Sequence, residues 1–302
     1  MRKHLFLLML LTVGLGGVFA QNLPKTNVFS FDFIRSGDAF ALANGRFLTQ
    51  FNGEGYNNQP HFLNNNEIYI TSQTPTGGQS DIWSLSFLTG VRTQVTNTAE
   101  SEYSPTLAPD RRSFTCIRTD ADAEKKQRLW RYPIDRSNAG QAVLKYHTMI
   151  GYHVWLSDTS VACFMLEGQS NYLSIVNVKD ESSMRLEASI GRSLVKLPDG
   201  KLAYVAKGSS SETWFIKSLD PRTNETTFVT QTVSGSEDFV CLPDGTLLMT
   251  GGSKIFAFKI GSGATTWTQI ADLKAYGIRN IKRLAVSREQ DKIVIVNDMS
   301  VK

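Results

Sequence analysis

Residues Leu194–Ala206 read LVKLPDGKLAYVA, and Phe239–Gly251 read FVCLPDGTLLMTG. In each, a Leu-Pro-Asp-Gly segment separates two short apolar runs. Proline presets one backbone dihedral, and Asp and Gly accept the chain reversal, so both segments read as a hairpin turn between two strands. The copies lie 45 residues apart, which is the spacing of a structural repeat rather than of a single hairpin.

Working outward from the two turns, runs of five to seven β-favouring residues fall into four types in a fixed order. The first type comprises QPHFL, SPTLA, YHVWL, SLVKL, DFVCL and IKRLAVS. The turn follows, as PDGK and PDGT in two units and as NNNE, PDRR, SDTS and REQDK in the others. The second type comprises EIYITS, SFTCIR, SVACFML, KLAYVA, TLLMTG and KIVIVND, nearly continuous apolar runs that read as strands covered on both faces. The third alternates, as in DIWSLSF and RLWRYPI, and the fourth is polar and often rich in threonine, as in GVRTQVTN and TTFVTQTV. A polar last strand reads as an exposed edge.

The C-terminal unit has only the first two types, near Ile281–Ser287 and Lys292–Asn297. The missing pair stands at the other end of the chain: NVFSFDF at Asn27–Phe33 matches the third type, and GRFLTQF at Gly45–Phe51 matches the fourth. These N-terminal strands are expected to complete the last sheet. The fold expected is therefore all-β, a six-bladed β-propeller of four-stranded antiparallel blades, with the ring closed by its N-terminal strands. Trp83, Trp130 and Trp214, with Phe29 and Phe256, occupy one position of the third strand and are read as packing between blades.

The first twenty residues, MRKHLFLLMLLTVGLGGVFA, combine a basic start at Arg2 and Lys3, an apolar run and a small-residue end. They are read as a cleavable signal peptide with cleavage after Ala20, which leaves residues 21–302 as one propeller domain in the periplasm or outside the cell. No other run is long and apolar enough to span a bilayer. Removing Arg2 and Lys3 lowers the net charge from +4 to +2, and no long basic run exists, so nucleic acid is not an expected partner. Cys116, Cys163 and Cys241 sit inside apolar runs, form no CxxC, and are read as buried small hydrophobes.

The stretch SEYSPTLAPDRRSFTCIR, following DIWSLSFLTGVRTQVTNTA, resembles the TolB-type propeller repeat. Ser104-Pro105, Pro109-Asp110, Asp81-Ile82-Trp83 and Val95-Thr96 carry the match, and the Tyr152–Leu156 unit departs from it at Ser157-Asp158. The resemblance runs over nearly all of residues 21–302 and implies the fold; its motifs do not carry an activity. No segment reads as the N-terminal domain through which TolB meets other Tol components, so that role is not carried over. Related propellers precede a hydrolase domain in prolyl-oligopeptidase-like peptidases, but no Gly-x-Ser-x-Gly elbow occurs here.

In such a ring the first strand of each blade lines the central channel, and the loop before it opens on one face. This nominates Glu102, Tyr103, Tyr152, His153, Arg192, Glu237, Asp238, Arg279 and Lys282 as ligand-binding residues at the channel mouth. Mixed charge with tyrosines suits a protein, peptide or glycan partner in the cell envelope. A related oligogalacturonate lyase holds a metal largely with histidines, and His61 and His153 both fall near inner strands. Three scattered histidines without a spacing motif define no metal site, so no metal, cofactor or catalytic residue is assigned. The reading is a non-enzymatic exported binding propeller; the alternative is a metal-dependent lyase, lactonase or hydrolase acting on a sugar acid in the channel.

Overall fold

The computed structural model describes residues 23–37, 39–121 and 123–300. The proposed signal peptide lies outside them. Among the described residues, 24 strands form six four-stranded antiparallel sheets. Blade 1 comprises β3 (Tyr56–Asn64), β4 (Glu67–Gln73), β5 (Asp81–Ser86) and β6 (Arg92–Gln94). Blade 2 comprises β7 (Ser101–Leu107), β8 (Ser113–Thr119), β9 (Gln127–Pro133) and β10 (Gln141–Ala142). Blade 3 is β11 (Ile150–Trp155), β12 (Ser160–Glu167), β13 (Ser170–Asn177) and β14 (Ser183–Ala188). Blade 4 is β15 (Ile190–Lys196), β16 (Leu202–Ala206), β17 (Phe215–Leu219) and β18 (Thr226–Gln231). Blade 5 is β19 (Phe239–Cys241), β20 (Thr246–Gly251), β21 (Lys254–Lys259) and β22 (Thr268–Asp272).

Blade 6 joins the two ends of the chain. Its order is β23 (Ile281–Val286), β24 (Lys292–Asp298), β1 (Thr26–Ser36) and β2 (Ala39–Phe47). Strand β1 pairs with β24 without a break from Thr26↔Asp298 to Asp32↔Lys292. The expected closure is what the structure has, with one correction. The fourth strand is Ala39–Phe47 rather than Gly45–Phe51, and Gln50–Asn52 form a 3₁₀ turn. The reason is local: Gly37 has φ 59°, so β1 reverses at once and its hairpin partner starts at Ala39.

Six apolar clusters lie between consecutive blades, and they define the ring. Phe31, Ile293 and Ile295 of blade 6 pack with Leu242, Leu248 and Ile255 of blade 5. Val28, Val294 and Val296 pack on the other side with Ile68 and Ile70 of blade 1. The second strands explain their own apolar runs. In β16, Leu202, Tyr204 and Ala206 face blade 3, whereas Ala203 and Val205 face blade 5. Successive side chains of a strand point to opposite faces, and both faces are covered here. The fourth strands are largely exposed, as in β14 and β18.

Phe29, Trp83, Trp130 and Trp214 are partly buried against these clusters, as expected of inter-blade packing. Trp214 stands one residue ahead of β17, so Phe215 begins that strand. The three cysteines are free thiols. No helix among the described residues is long and apolar enough to cross a membrane.

Candidate functional site at the channel

The turns show which way each inner strand runs. The Gly200 and Gly245 amides donate to the Leu197 and Leu242 carbonyls at 2.9 Å, with both glycines at left-handed φ. Asp199 and Asp244 each accept the amide two residues on, at 3.0 Å. These turns follow the inner strands, so the loops that precede the inner strands lie at the other end of the channel.

At that loop end, side chains from three blades make a charged network. The Arg192 guanidinium of blade 4 lies 3.2 Å from Glu237 and 3.8 Å from Asp238, both just ahead of β19. Its Nη2 donates to the Lys282 carbonyl at 2.8 Å, and its Nε is buried with no hydrogen-bond partner among the described residues. Lys207, after β16, reaches Glu237 at 2.5 Å. Arg283 of β23 meets Asp238 at 3.2 Å and donates from Nη2 to the Tyr152 hydroxyl at 3.0 Å.

That last bond crosses the molecule. Tyr152 belongs to blade 3 and Arg283 to blade 6, three blades apart in a ring of six. The guanidinium also lies over the Tyr152 ring, 5.1 Å from its centroid. The channel is therefore barred at this level. Burial works against the Arg283 charge, but Tyr152 and Asp238 outweigh it and hold its pKa above the ordinary range. Burial also works against Glu237, yet Arg192 and Lys207 keep its pKa below the usual value. Asp238 goes the other way: burial raises it against the pull of Arg283 and Arg192. The Tyr56 hydroxyl, raised by burial, feels the charges of Arg283 and Arg192 and stands beside Tyr103 and Tyr152.

Of the residues nominated from sequence, the structure brings Tyr103, Tyr152, Arg192, Glu237 and Asp238 together. Lys282 contributes its carbonyl and leaves its side chain exposed, and the Arg279 side chain is exposed. Glu102 is fully buried and turned between blades 1 and 2, where it accepts from Thr98 at 2.5 Å and Tyr132 at 3.4 Å. Burial pushes its carboxyl up to about 7. Arg283, Lys207 and Tyr56 were not nominated. Arg283 faces the channel because a bulge between Ile281 and Arg283 shifts the register of β23, and no glycine or proline marks that bulge.

His153 is buried and exchanges a hydrogen bond with Thr115 through Nε2 at 2.8 Å, while its Nδ1 has no partner among the described residues. Burial, with a smaller contribution from His61, pushes His153 down to about 3; burial alone brings His61 to about 4. Both are neutral imidazoles close enough to sense one another. A catalytic zinc-type site needs about three protein ligands. No group of three or more His, Cys, Asp or Glu is gathered for a metal among the described residues, so this pair alone does not fit one.

Below the Arg283–Tyr152 bar, at the turn end, a cavity of about 430 Å³ opens among His61, Val195, Val240, Cys241 and Ala285. Burial, with nearby Asp244 and Asp199, raises the Cys241 thiol to about 12.

No protein-family model matches the chain, and no curated protein matches it. Solved structures do. A putative TolB from Agrobacterium tumefaciens superposes with a TM-score of 0.66 at 11% identity, over 92% of this chain and all of that one. An oligogalacturonate lyase in complex with manganese gives 0.53 at 14% identity, over 92% and 98% of the two chains. A chain of a nidogen/laminin complex gives 0.60 at 10% identity, over 90% and 98%. At these identities the likeness is one of fold.

Proposed function

We propose that this six-bladed propeller is an exported, non-enzymatic binding protein whose loop-end channel mouth receives a segment of a protein, peptide or glycan partner in the cell envelope. The observation that carries the reading is the barred channel. Arg192, Arg283 and Lys207 face Glu237 and Asp238 beside Tyr152, which offers fixed charges of both signs over a barred floor. Such a floor favours recognition of polar groups laid across the mouth over passage through the ring. Tyrosine and arginine are the residue types that anchor most interfaces. Propellers of the same shape occur in a nidogen/laminin complex and in TolB proteins, which supports a partner-binding role without naming the partner.

Photo-crosslinking in cells tests it. A crosslinker at exposed Lys282, beside the network, should capture one discrete partner, and Arg192→Glu should abolish that adduct. A crosslinker at Phe228, on the exposed outer strand of blade 4, should capture none. Equal capture from both positions would sink the proposal.

A second reading is the metal-dependent lyase. The fold it shares with the manganese-bound oligogalacturonate lyase supports it, and a metal there would need ligands beyond His61 and His153. Purified protein would then hold a stoichiometric divalent ion that His153→Ala loses. Metal-free protein that stays fully folded and binds no added manganese would count against it.

A further inference from the structure

The turn end of the channel carries a second, separate feature. Four of the inner-strand turns share one design, an amide donating to the carbonyl three residues back from a residue at left-handed φ. Blades 4 and 5 place Gly200 and Gly245 at that position. Blade 2 places Arg111 there, at φ 55°, and blade 6 places Gln290, at φ 57°. A side chain in this conformation costs about 1 kcal/mol or more relative to glycine, so turn chemistry alone does not favour arginine.

The Arg111 side chain lines the rim of the 430 Å³ cavity, together with Arg288 and Glu289 from the blade 6 turn. Neither arginine makes a side-chain hydrogen bond or ion pair among the described residues. Two cations against one anion leave the rim positive. Below it, the walls are mainly apolar: Leu107, Val195, Val240 and Ala285 come from four different blades, with His61, Asn64 and Asn65 as polar neighbours. A volume of about 430 Å³ lies in the range of about 300–1,000 Å³ usual for small-molecule pockets.

We propose that this cavity binds an aliphatic carboxylate, with the hydrocarbon chain against Val195, Val240 and Ala285 and the carboxylate held at the rim by Arg111 and Arg288. A guanidinium fork matches a carboxylate, and an unpaired arginine over an apolar well selects an anion with a nonpolar tail. The site is closed off from the charged network by the Arg283–Tyr152 bar, so it does not depend on what the mouth binds.

Calorimetric titration of the full chain with decanoate, kept below micelle formation, tests the site. One equivalent should bind saturably, and decylamine and 1-octanol should each bind at least tenfold more weakly. Arg111→Gly is the decisive variant, because glycine suits the turn. It should melt at or above the parent's temperature and yet lose about ten- to hundredfold in decanoate affinity, the range of a lost charge-assisted pair. Arg288→Gln should lose affinity similarly. Arg185→Gln, on the exposed outer strand of blade 3, should leave it unchanged. No saturable binding, equal binding of decanoate and octanol, full affinity in Arg111→Gly, or an equal loss in Arg185→Gln would each overturn the assignment.

Discussion

Glu102 shows how one side chain sets the response to pH. Its carboxyl is fully buried, and burial raises its pKa from 4.5 to about 7, with Asp81 adding to the rise. The folded chain therefore binds this proton more tightly than the unfolded chain does. The stabilisation is complete below about pH 4.5 and is lost as the pH rises through 7. The shift corresponds to about 3 kcal/mol once Glu102 is ionised. Glu102→Gln, which keeps the shape and removes the charge, should match the parent near pH 4.5 and exceed it by up to about 3 kcal/mol at pH 8. Urea unfolding at both pH values measures this, and a difference that does not change with pH would refute it. The sequence marked Glu102 as a channel-mouth residue because it was read in the loop before the inner strand SPTLA, whereas it lies within β7. Its actual direction depends on the bulge between Tyr103 and Thr106, where Ser104 takes φ 55°, and serine gives no hint of that conformation. The same holds for Arg283, in whose place the sequence marked its neighbour Lys282. Residue type and strand were legible in these cases; the facing was not, because a bulge reverses the alternation on which facing is read.

At the scale of elements the sequence says much more. Every second strand was visible as an apolar run because both its faces meet a neighbouring blade. The run KLAYVA serves two clusters at once. The Leu-Pro-Asp-Gly turns were visible because each residue has a separate task. Leucine supplies the accepting carbonyl, aspartate caps the returning amide, and glycine takes the left-handed conformation. Where a turn departs from that pattern, the departure itself is informative. Arg111 holds the same hydrogen bond as Gly200, at 3.0 Å, in a conformation that suits it less well. The fourth strands were the least legible. Strand β10 is only Gln141–Ala142, and β2 begins six residues before the stretch that resembled it. Edge strands carry little apolar burial, so their sequence constrains their ends weakly.

The whole molecule stands on one joint, the pairing of β1 with β24. Among the described residues, no other contact of comparable extent ties the N-terminal strands to the C-terminal ones within a blade. The joint is also packed from both sides: Phe31 and Phe33 enter the cluster with blade 5, and Val28 enters the cluster with blade 1. Deleting residues 21–51 would remove these three side chains and uncover β24, whose Ile293, Val294, Ile295 and Val296 are completely buried in the ring. Each buried side chain of that kind contributes about 1.5–3 kcal/mol, and the stability of a whole domain is about 5–15 kcal/mol, so this loss consumes most or all of it. An open β24 edge would also invite pairing between chains. The truncated protein should therefore show no cooperative urea transition by tryptophan fluorescence, weak near-ultraviolet circular dichroism, and aggregates on gel filtration. Adding a peptide of residues 21–51 should recover both signals, because the joint is made of backbone pairing and apolar contact rather than covalent continuity. A truncated chain that unfolds at the parent's urea midpoint would mean that the ring is held by its other five interfaces and that the N-terminal strands only decorate it.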